Sequence, residues 1–247
     1  ISPSVQNVIK SLLDENQGLR PTISELQKTI LGVKSLSACD PEPNSKPKSE
    51  PSTRVYFVIG SQRSGSNWLR TMLDVRDDIA CPHPPHIMRD FMPILDKFGD
   101  LRVDNNYEIL VDHVCTFVER NQVPWKTRSG KHIYFDRREI MSHAKSNVTN
   151  AHKAPIYLLA VFDAIMCAFA RFDYKPLWMC KSMGMSMYHD LLLEFYGEDR
   201  LRYIYLVRDP RDVALSFMNT PVGDKHYYHI ATKWNNLQSH ALRIMKK

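Results

Sequence analysis

Short, basic and hydroxyl-bearing side chains are concentrated at residues 60–68, which read Gly-Ser-Gln-Arg-Ser-Gly-Ser-Asn-Trp. The preceding residues, 55–59, are apolar and mostly β-branched or aromatic, which predicts a buried strand, and the apolar spacing afterwards predicts a helix. Backbone N–H groups at such a turn converge on an anion, and the helix dipole favours negative charge there. Gly65 allows close approach of the backbone, and four side chains add donors: Arg63, Ser64, Ser66 and Asn67. This segment, the phosphate loop, is therefore predicted to bind a phosphate; the alternative is a turn that has no ligand.

A second candidate phosphate contact lies at residues 205–216, which read Tyr-Leu-Val-Arg-Asp-Pro-Arg-Asp-Val-Ala-Leu-Ser. A predicted strand delivers Arg208, and a helix predicted to begin at Pro210 delivers Ser216. Together the two side chains could bind a second phosphate. The phosphate loop also matches the G-x-x-x-x-G of nucleotide hydrolases, but Ser-Asn follows the second glycine where Lys-Ser/Thr is expected.

These two motifs resemble those of the sulfotransferase family, in which a 5′-phosphosulfate loop follows the first strand and an R-x-P-x-D-V-A-x-S motif binds a 3′-phosphate. The resemblance covers residues 55–247 and implies 3′-phosphoadenylyl sulfate (PAPS) as the co-substrate, with no metal. It gives Arg63 the role that a lysine has in the cytosolic members, and it places the 3′-phosphate at Arg208 and Ser216. Trp68 would stack on the adenine or, alternatively, pack in the core.

The resemblance leaves open which group removes the acceptor proton. Cytosolic members have a histidine after a Lys-Thr pair, but residues 181–183 read Lys-Ser-Met, and methionine cannot accept a proton. Other members use a carboxylate after the second strand, where residues 81–88 hold two histidines and no acid. Histidine, with an unperturbed pKa of about 6.5, suits a base at neutral pH. We therefore hypothesise that His83, or failing that His86, is the base; the alternative is that both only stabilise a loop. Lys181 would stabilise charge on the bridging oxygen.

Alternating strands and helices predict an α/β fold, a P-loop-like three-layer domain with a mainly parallel central sheet flanked by helices. Further strands are predicted at 79–81, 177–180 and 202–207, and helices at 107–120, 155–172, 187–195 and from residue 210. Helical periodicity predicts a small helical appendage at 1–38, and four prolines among polar residues predict a linker at 39–53. Residues 54–247 remain as the nucleotide-binding domain.

The composition limits the classes of partner. The formal net charge of +6 does not by itself separate a small anionic ligand from a nucleic acid, but the two phosphate motifs favour the small ligand, so no nucleic-acid partner is expected. The five cysteines are scattered and form no CxxC pair, so no metal site is expected. The apolar run at 157–172 is shorter than the ~20 residues of a membrane span and predicts a buried helix instead. Localisation stays open, with a cytoplasmic protein slightly favoured.

The acceptor is expected to be a small molecule, a lipid or a glycan that offers a hydroxyl or an amine. Sulfotransferases usually continue to a glycine-rich segment that covers the nucleotide, and no such segment follows Ser216 here. The chain is therefore either truncated at its C-terminus or completes the donor site differently. Two alternative functions remain open: a P-loop nucleotide kinase or NTPase, and a non-catalytic nucleotide-binding module.

Overall fold

A parallel sheet forms the centre of the domain. The computed structural model describes residues 54–149, 152–221 and 223–245, so the predicted appendage and linker lie outside the described residues. The strands are β1 (Val55–Gly60), β2 (Ile79–Ala80), β3 (Leu177–Cys180) and β4 (Leu201–Leu206). Their order is β2-β3-β1-β4, and every neighbouring pair is parallel. The predicted α/β class is confirmed.

Helices cover the sheet. The α-helices in the described part of the chain are α1 (Ser66–Asp74), α2 (Ile87–Phe91), α3 (Asp104–Glu119), α4 (Arg137–Ser146), α5 (Ala154–Phe172), α6 (His189–Arg200), α7 (Pro210–Met218) and α8 (Tyr227–Met245). The predictions at 107–120, 155–172 and from residue 210 match α3, α5 and α7 within three residues. The prediction at 187–195 has the wrong bounds, because a 3₁₀ helix, Met183–Tyr188, precedes α6. No helix is predicted at α4. The carboxylate of Asp136 caps this helix by accepting hydrogen bonds from the N–H groups of Arg138 and Glu139.

Both faces of β1 are covered, which makes the domain three-layered. Phe57 and Ile59 belong to the main hydrophobic core, which includes most of α5. Val58 belongs to a second cluster, against which Leu69 and Leu73 of α1 pack. Alternate side chains of a strand point to opposite faces, so these two clusters lie on opposite sides of the sheet. The apolar run at 55–59 is therefore buried on both sides, as predicted.

Strand β4 is less buried than the sequence predicts. Leu201 is buried, but residues 202–206 are half-exposed. Among the described strands β4 pairs only with β1, so it forms an edge of the sheet. Its apolar sequence resembles that of a central strand, and only the strand order reveals its edge position.

Helix α5 is the central helix of the core. Among the described helices it is the one that is long and apolar enough to cross a membrane, judged by length and composition only, and 78% of its apolar window is buried inside the domain. Its carboxylate, Asp163, is 3% exposed. The hydroxyl of Tyr196 donates to Asp163 Oδ1 at 3.0 Å, and His143 Nε2 lies 3.1 Å from Oδ2. The buried carboxylate is thus hydrogen-bonded, and the prediction of a buried helix is confirmed.

The parallel strands end at one edge of the sheet, and this positions the candidate site. In parallel α/β sheets, ligands bind in the crevice outside the carboxyl ends of the strands. Here β1 leads into the phosphate loop, β2 into residues 81–86, β3 into Lys181 and β4 into Arg208. Segments more than 100 residues apart in the sequence therefore meet at the same edge.

Gly60, the last residue of β1, lies in close contact with β4. Its φ is 128°, and a Cβ there would lie 2.2 Å from the carbonyl oxygen of Leu206. We expect Gly60→Ala to lower the free energy of unfolding by more than about 1 kcal/mol, because the methyl group would strain the backbone and push the strands apart. The matched control is Gly184→Ala, where no atom of the described residues lies within 4 Å of the added Cβ. Equal urea midpoints for the two variants would contradict this account of the strand contact.

Candidate active site

The phosphate loop leads from β1 into an open helix N-terminus. Gly65 is the N-cap of α1, has a left-handed φ of 86°, and makes no side-chain capping bond. Arg63 is also left-handed, with a φ of 65°. The first N–H groups of a helix have no partner within the helix, so this end of α1 can bind an anion. The buried hydroxyls of Ser61 and Ser64 lie 3.0 Å apart and stabilise the loop from inside.

The predicted second phosphate contact lies directly against the phosphate loop. Arg63 Nε donates to Ser216 Oγ at 3.0 Å, and one guanidinium nitrogen of Arg208 donates to the carbonyl oxygen of Arg63 at 3.0 Å. These partners are 153 and 145 residues apart in the sequence. Arg208 also lies 3.7 Å from a carboxylate oxygen of Asp212. Of the predicted site residues, Arg63 therefore contacts both Arg208 and Ser216.

The three residues after Gly65 differ in their exposure. Ser66 is 5% exposed, Asn67 is exposed and Trp68 is half-buried. The next residue, Leu69, packs against the second hydrophobic cluster. An adenine contact for Trp68 stays a prediction.

Lys181 lies beside the phosphate loop. It follows β3, and its Nζ donates to Asn67 Oδ1 at 2.5 Å. Partial burial lowers the pKa of Lys181 to about 8, and the positive charges of Arg70 and Arg63 add to this effect. The ammonium group is therefore held near the point of deprotonation at mildly alkaline pH.

His83 and His86 both lie in the segment that follows β2. The carbonyl oxygen of His83 accepts from Trp125 Nε1 at 2.7 Å, which fixes the backbone there. Burial lowers the pKa of His83, and the positive charges of Lys181 and Arg70 lower it further. Both cations therefore disfavour the protonated form of His83.

His86 has a different environment. It precedes α2 with a left-handed φ of 57°. Burial lowers its pKa to about 4, and Arg89 is the largest electrostatic contribution. A group with so low a pKa is a weaker base at neutral pH than His83.

A match to a family model decides the family. The model described as "Sulfotransferase family" matches residues 56–246, which is most of the chain. The chain belongs to the sulfotransferase family. A solved structure, the sulfotransferase domain from the Synechococcus PCC 7002 olefin synthase, is similar at 20% sequence identity and a TM-score of 0.44. The alignment covers 82% of this chain and 65% of that one, so the chain spans less than two thirds of that domain's length. No curated protein matches the chain in sequence.

Two polar residues, Arg70 and Asp74, were not predicted as part of the site. Arg70 donates to the carbonyl oxygen of Cys81 at 2.8 Å, and the Cys81 N–H donates to Asp74 Oδ1 at 2.8 Å. With Asn67 they are spaced i, i+3 and i+7 along α1, and this spacing is the sequence signal that a polar stripe faces a neighbour. Their partner is a backbone segment, which no side-chain pattern identifies.

Within the described part of the chain, one group of potential metal ligands lies away from the candidate site. His143, Asp163 and Cys167 offer ligand atoms that all lie within 4.8 Å of one another. They lie on α4 and α5 rather than at the carboxyl ends of the strands. The carboxylate is already hydrogen-bonded within the core, and burial raises the pKa of the Cys167 thiol to about 12.

Proposed function

We propose that this chain is a PAPS-dependent sulfotransferase that transfers a sulfuryl group to a hydroxyl or an amine of a small-molecule, lipid or glycan acceptor. The single observation that carries the proposal is the contact of Arg63 with both Ser216 and Arg208. It joins the two motifs that a nucleotide bearing both a 5′- and a 3′-phosphate would need. Phosphoryl transfer is disfavoured as the alternative because the phosphate loop lacks the lysine of P-loop kinases.

The donor would lie along the carboxyl edge of β1 and β4. Its 5′-phosphosulfate would accept from the backbone N–H groups of the phosphate loop, from Arg63 and from the short side chains Ser64, Ser66 and Asn67. Its 3′-phosphate would lie between Arg208 and Ser216, and Trp68 would stack on the adenine. In this proposal Arg63 and Lys181 supply the positive charge near the leaving group, and no metal is required.

The transfer itself needs in-line positioning, a base and a cation. The acceptor oxygen or nitrogen forms a bond to sulfur as the bond between sulfur and the bridging oxygen of the donor breaks. His83 takes the proton of the acceptor, and Lys181 stabilises the negative charge that develops on the bridging oxygen. The products are the sulfated acceptor and 3′-phosphoadenosine 5′-phosphate (PAP).

The two pKa shifts define an active pH window. His83 accepts a proton only when it is neutral, so activity rises as the pH increases through its lowered pKa, below about 6.5. Lys181 acts as a cation only while protonated, so activity falls as the pH increases through about 8. The proposed enzyme is therefore most active near neutral pH.

Calorimetry with PAP and ADP tests the donor site. We expect the wild-type chain to prefer PAP, because only PAP has a 3′-phosphate for Arg208 and Ser216. Arg208→Ala should lower the PAP affinity about 10- to 100-fold and leave ADP binding nearly unchanged, since a charge-assisted hydrogen bond contributes about 1.5–3 kcal/mol.

Arg211→Ala is the matched control, since Arg211 belongs to the same motif but pairs with Asp209. It should bind PAP within about twofold of wild type. Equal affinities for PAP and ADP would contradict the proposed donor, and a Mg²⁺-dependent preference for ADP would favour the kinase. Tight PAP binding without transfer to any acceptor would identify a non-catalytic module.

Turnover measurements on histidine variants test the base. With an acceptor that the wild-type protein sulfates, His83→Ala should lower kcat about 10²- to 10⁴-fold, because the acceptor proton then has no positioned base. PAP affinity should stay the same, since His83 does not belong to the phosphate contacts. His86→Ala should have a much smaller effect, because burial holds its pKa at about 4.

Loss of turnover in His86→Ala alone would move the role of base to His86. Full kcat in both variants would eliminate the histidine hypothesis altogether. The pH profile adds a second check, because the rising limb should disappear in the variant that lacks the base.

A further inference from the structure

Helix α1 presents a polar stripe to the carboxyl ends of β2 and β3. The stripe consists of Asn67, Arg70 and Asp74. Asn67 accepts from Lys181, which follows β3. Arg70 and Asp74 bind the carbonyl oxygen and the N–H group of Cys81, the residue that follows β2, each at 2.8 Å. Both backbone groups of Cys81 are thus held by side chains of one helix, two residues before His83.

The end of the stripe is anchored in the protein interior. Asp74 Oδ1 also accepts from Lys175 Nζ at 3.2 Å, and the side chain of Lys175 is 0% exposed. Asp74 therefore accepts hydrogen bonds from Lys175 and Cys81 at the end of the stripe that is farthest from Asn67. Asn67, at the other end, is neutral. Arg70 is therefore the one cation of the stripe, and it lies between the two anchor points.

The charge of Arg70 acts on both proposed proton-handling groups. Burial is the largest cause of the lowered pKa of Lys181; among charged and titratable neighbours, Arg70 on α1 and Arg63 in the phosphate loop lower it, and Cys180 on β3 raises it. Burial is also the largest cause of the lowered pKa of His83; the charges of Lys181 and Arg70 lower it further, and a backbone hydrogen bond at Pro84 raises it. No carboxylate is among the groups that act on either side chain. Arg70 Nε is buried and has no hydrogen-bond partner among the described residues.

We propose that Arg70 is a positioning residue of the transfer site, which fixes the place of His83 relative to Lys181 and sets the electrostatic field at both. Its hydrogen bond to Cys81 holds the segment that carries His83 against the helix that carries the phosphate loop. Its charge favours the neutral form of His83, which is the form that accepts the acceptor proton. The same charge disfavours the ammonium form of Lys181, so it helps to set the pH above which Lys181 no longer acts as a cation. The role in transfer rests on the proposed function, whereas the effect on Lys181 does not.

Two variants separate the charge of Arg70 from its hydrogen bond. Arg70→Gln removes the charge and retains an N–H donor for Cys81, and Arg70→Lys retains the charge. The readout is the rate at which limiting acetic anhydride acetylates Lys181 as a function of pH, followed by peptide mass spectrometry without donor or acceptor. We expect acetylation in Arg70→Gln to fall about two- to fivefold at pH 8, because removing a like charge stabilises the ammonium form. Arg70→Lys should retain the wild-type pH dependence.

Arg102→Gln is the matched control, because Arg102 is exposed and pairs with Asp100 away from the site. It should leave Lys181 acetylation unchanged. An unchanged acetylation profile in Arg70→Gln, with a wild-type thermal midpoint, would overturn the proposal. A loss of acetylation that Arg70→Lys shares to the same extent would also overturn it, because the effect would then follow the lost contact rather than the charge.

PAP binding by the same variants distinguishes a failure of the Arg70 proposal from a failure of the proposed function. Arg70→Gln should bind PAP within about twofold of wild type, because Arg70 contacts none of the proposed phosphate ligands. A wild-type protein that does not bind PAP would refute the sulfotransferase donor site and leave the acetylation result standing. PAP binding that is lost in Arg70→Gln alone would overturn the assignment of Arg70 as a positioning residue of the transfer site, because Arg70 would then be needed to bind the donor.

Discussion

The pairing of Gly60 with Leu206 is the constraint on which the candidate site depends. It is the last of six parallel pairs between β1 and β4, and it places the ends of the two strands side by side. The phosphate loop begins directly after the first strand and Arg208 follows two residues after the second. A side chain at Gly60 would collide with the carbonyl oxygen of Leu206, so this approach requires a glycine. The contacts among Arg63, Arg208 and Ser216 follow from this register.

The site concentrates positive charge where a polyanion would bind. Arg63, Arg70 and Lys181 all lie near the carboxyl ends of β1, β2 and β3. Burial lowers the pKa of Lys181 most, and the charges of the two arginines lower it further. Like charges held together are unfavourable without a counter-ion. A nucleotide with several phosphates would offset this repulsion, which gives the cluster a physical reason beyond packing. The three cations stay close together despite this repulsion because the strands and α1 hold each of them in place.

Some parts of the fold could be predicted from the sequence because local patterns determine them. The apolar runs of β1 and β3 specify strands, and the Gly- and Ser-rich segment between β1 and α1 specifies a turn at a helix start. The sequence predicted Arg208 and Ser216 as ligands of a second phosphate, which stays a prediction, and only the structure shows that both contact Arg63 of the loop. The edge position of β4 was not predicted, because it depends on strand order and not on composition. The hydrogen bond from Arg70 to Cys81 was not predicted, because its acceptor is a backbone carbonyl. The different environments of His83 and His86 were not predicted either, because they depend on burial that the local sequence does not encode.

The most direct test of the central claim is a crystal structure of this chain with PAP. The account predicts the 3′-phosphate within hydrogen-bond distance of Arg208 and Ser216, and the 5′-phosphate against the backbone N–H groups of the phosphate loop. A nucleotide bound elsewhere, or one bound in the loop with its 3′-phosphate turned to solvent, would contradict it.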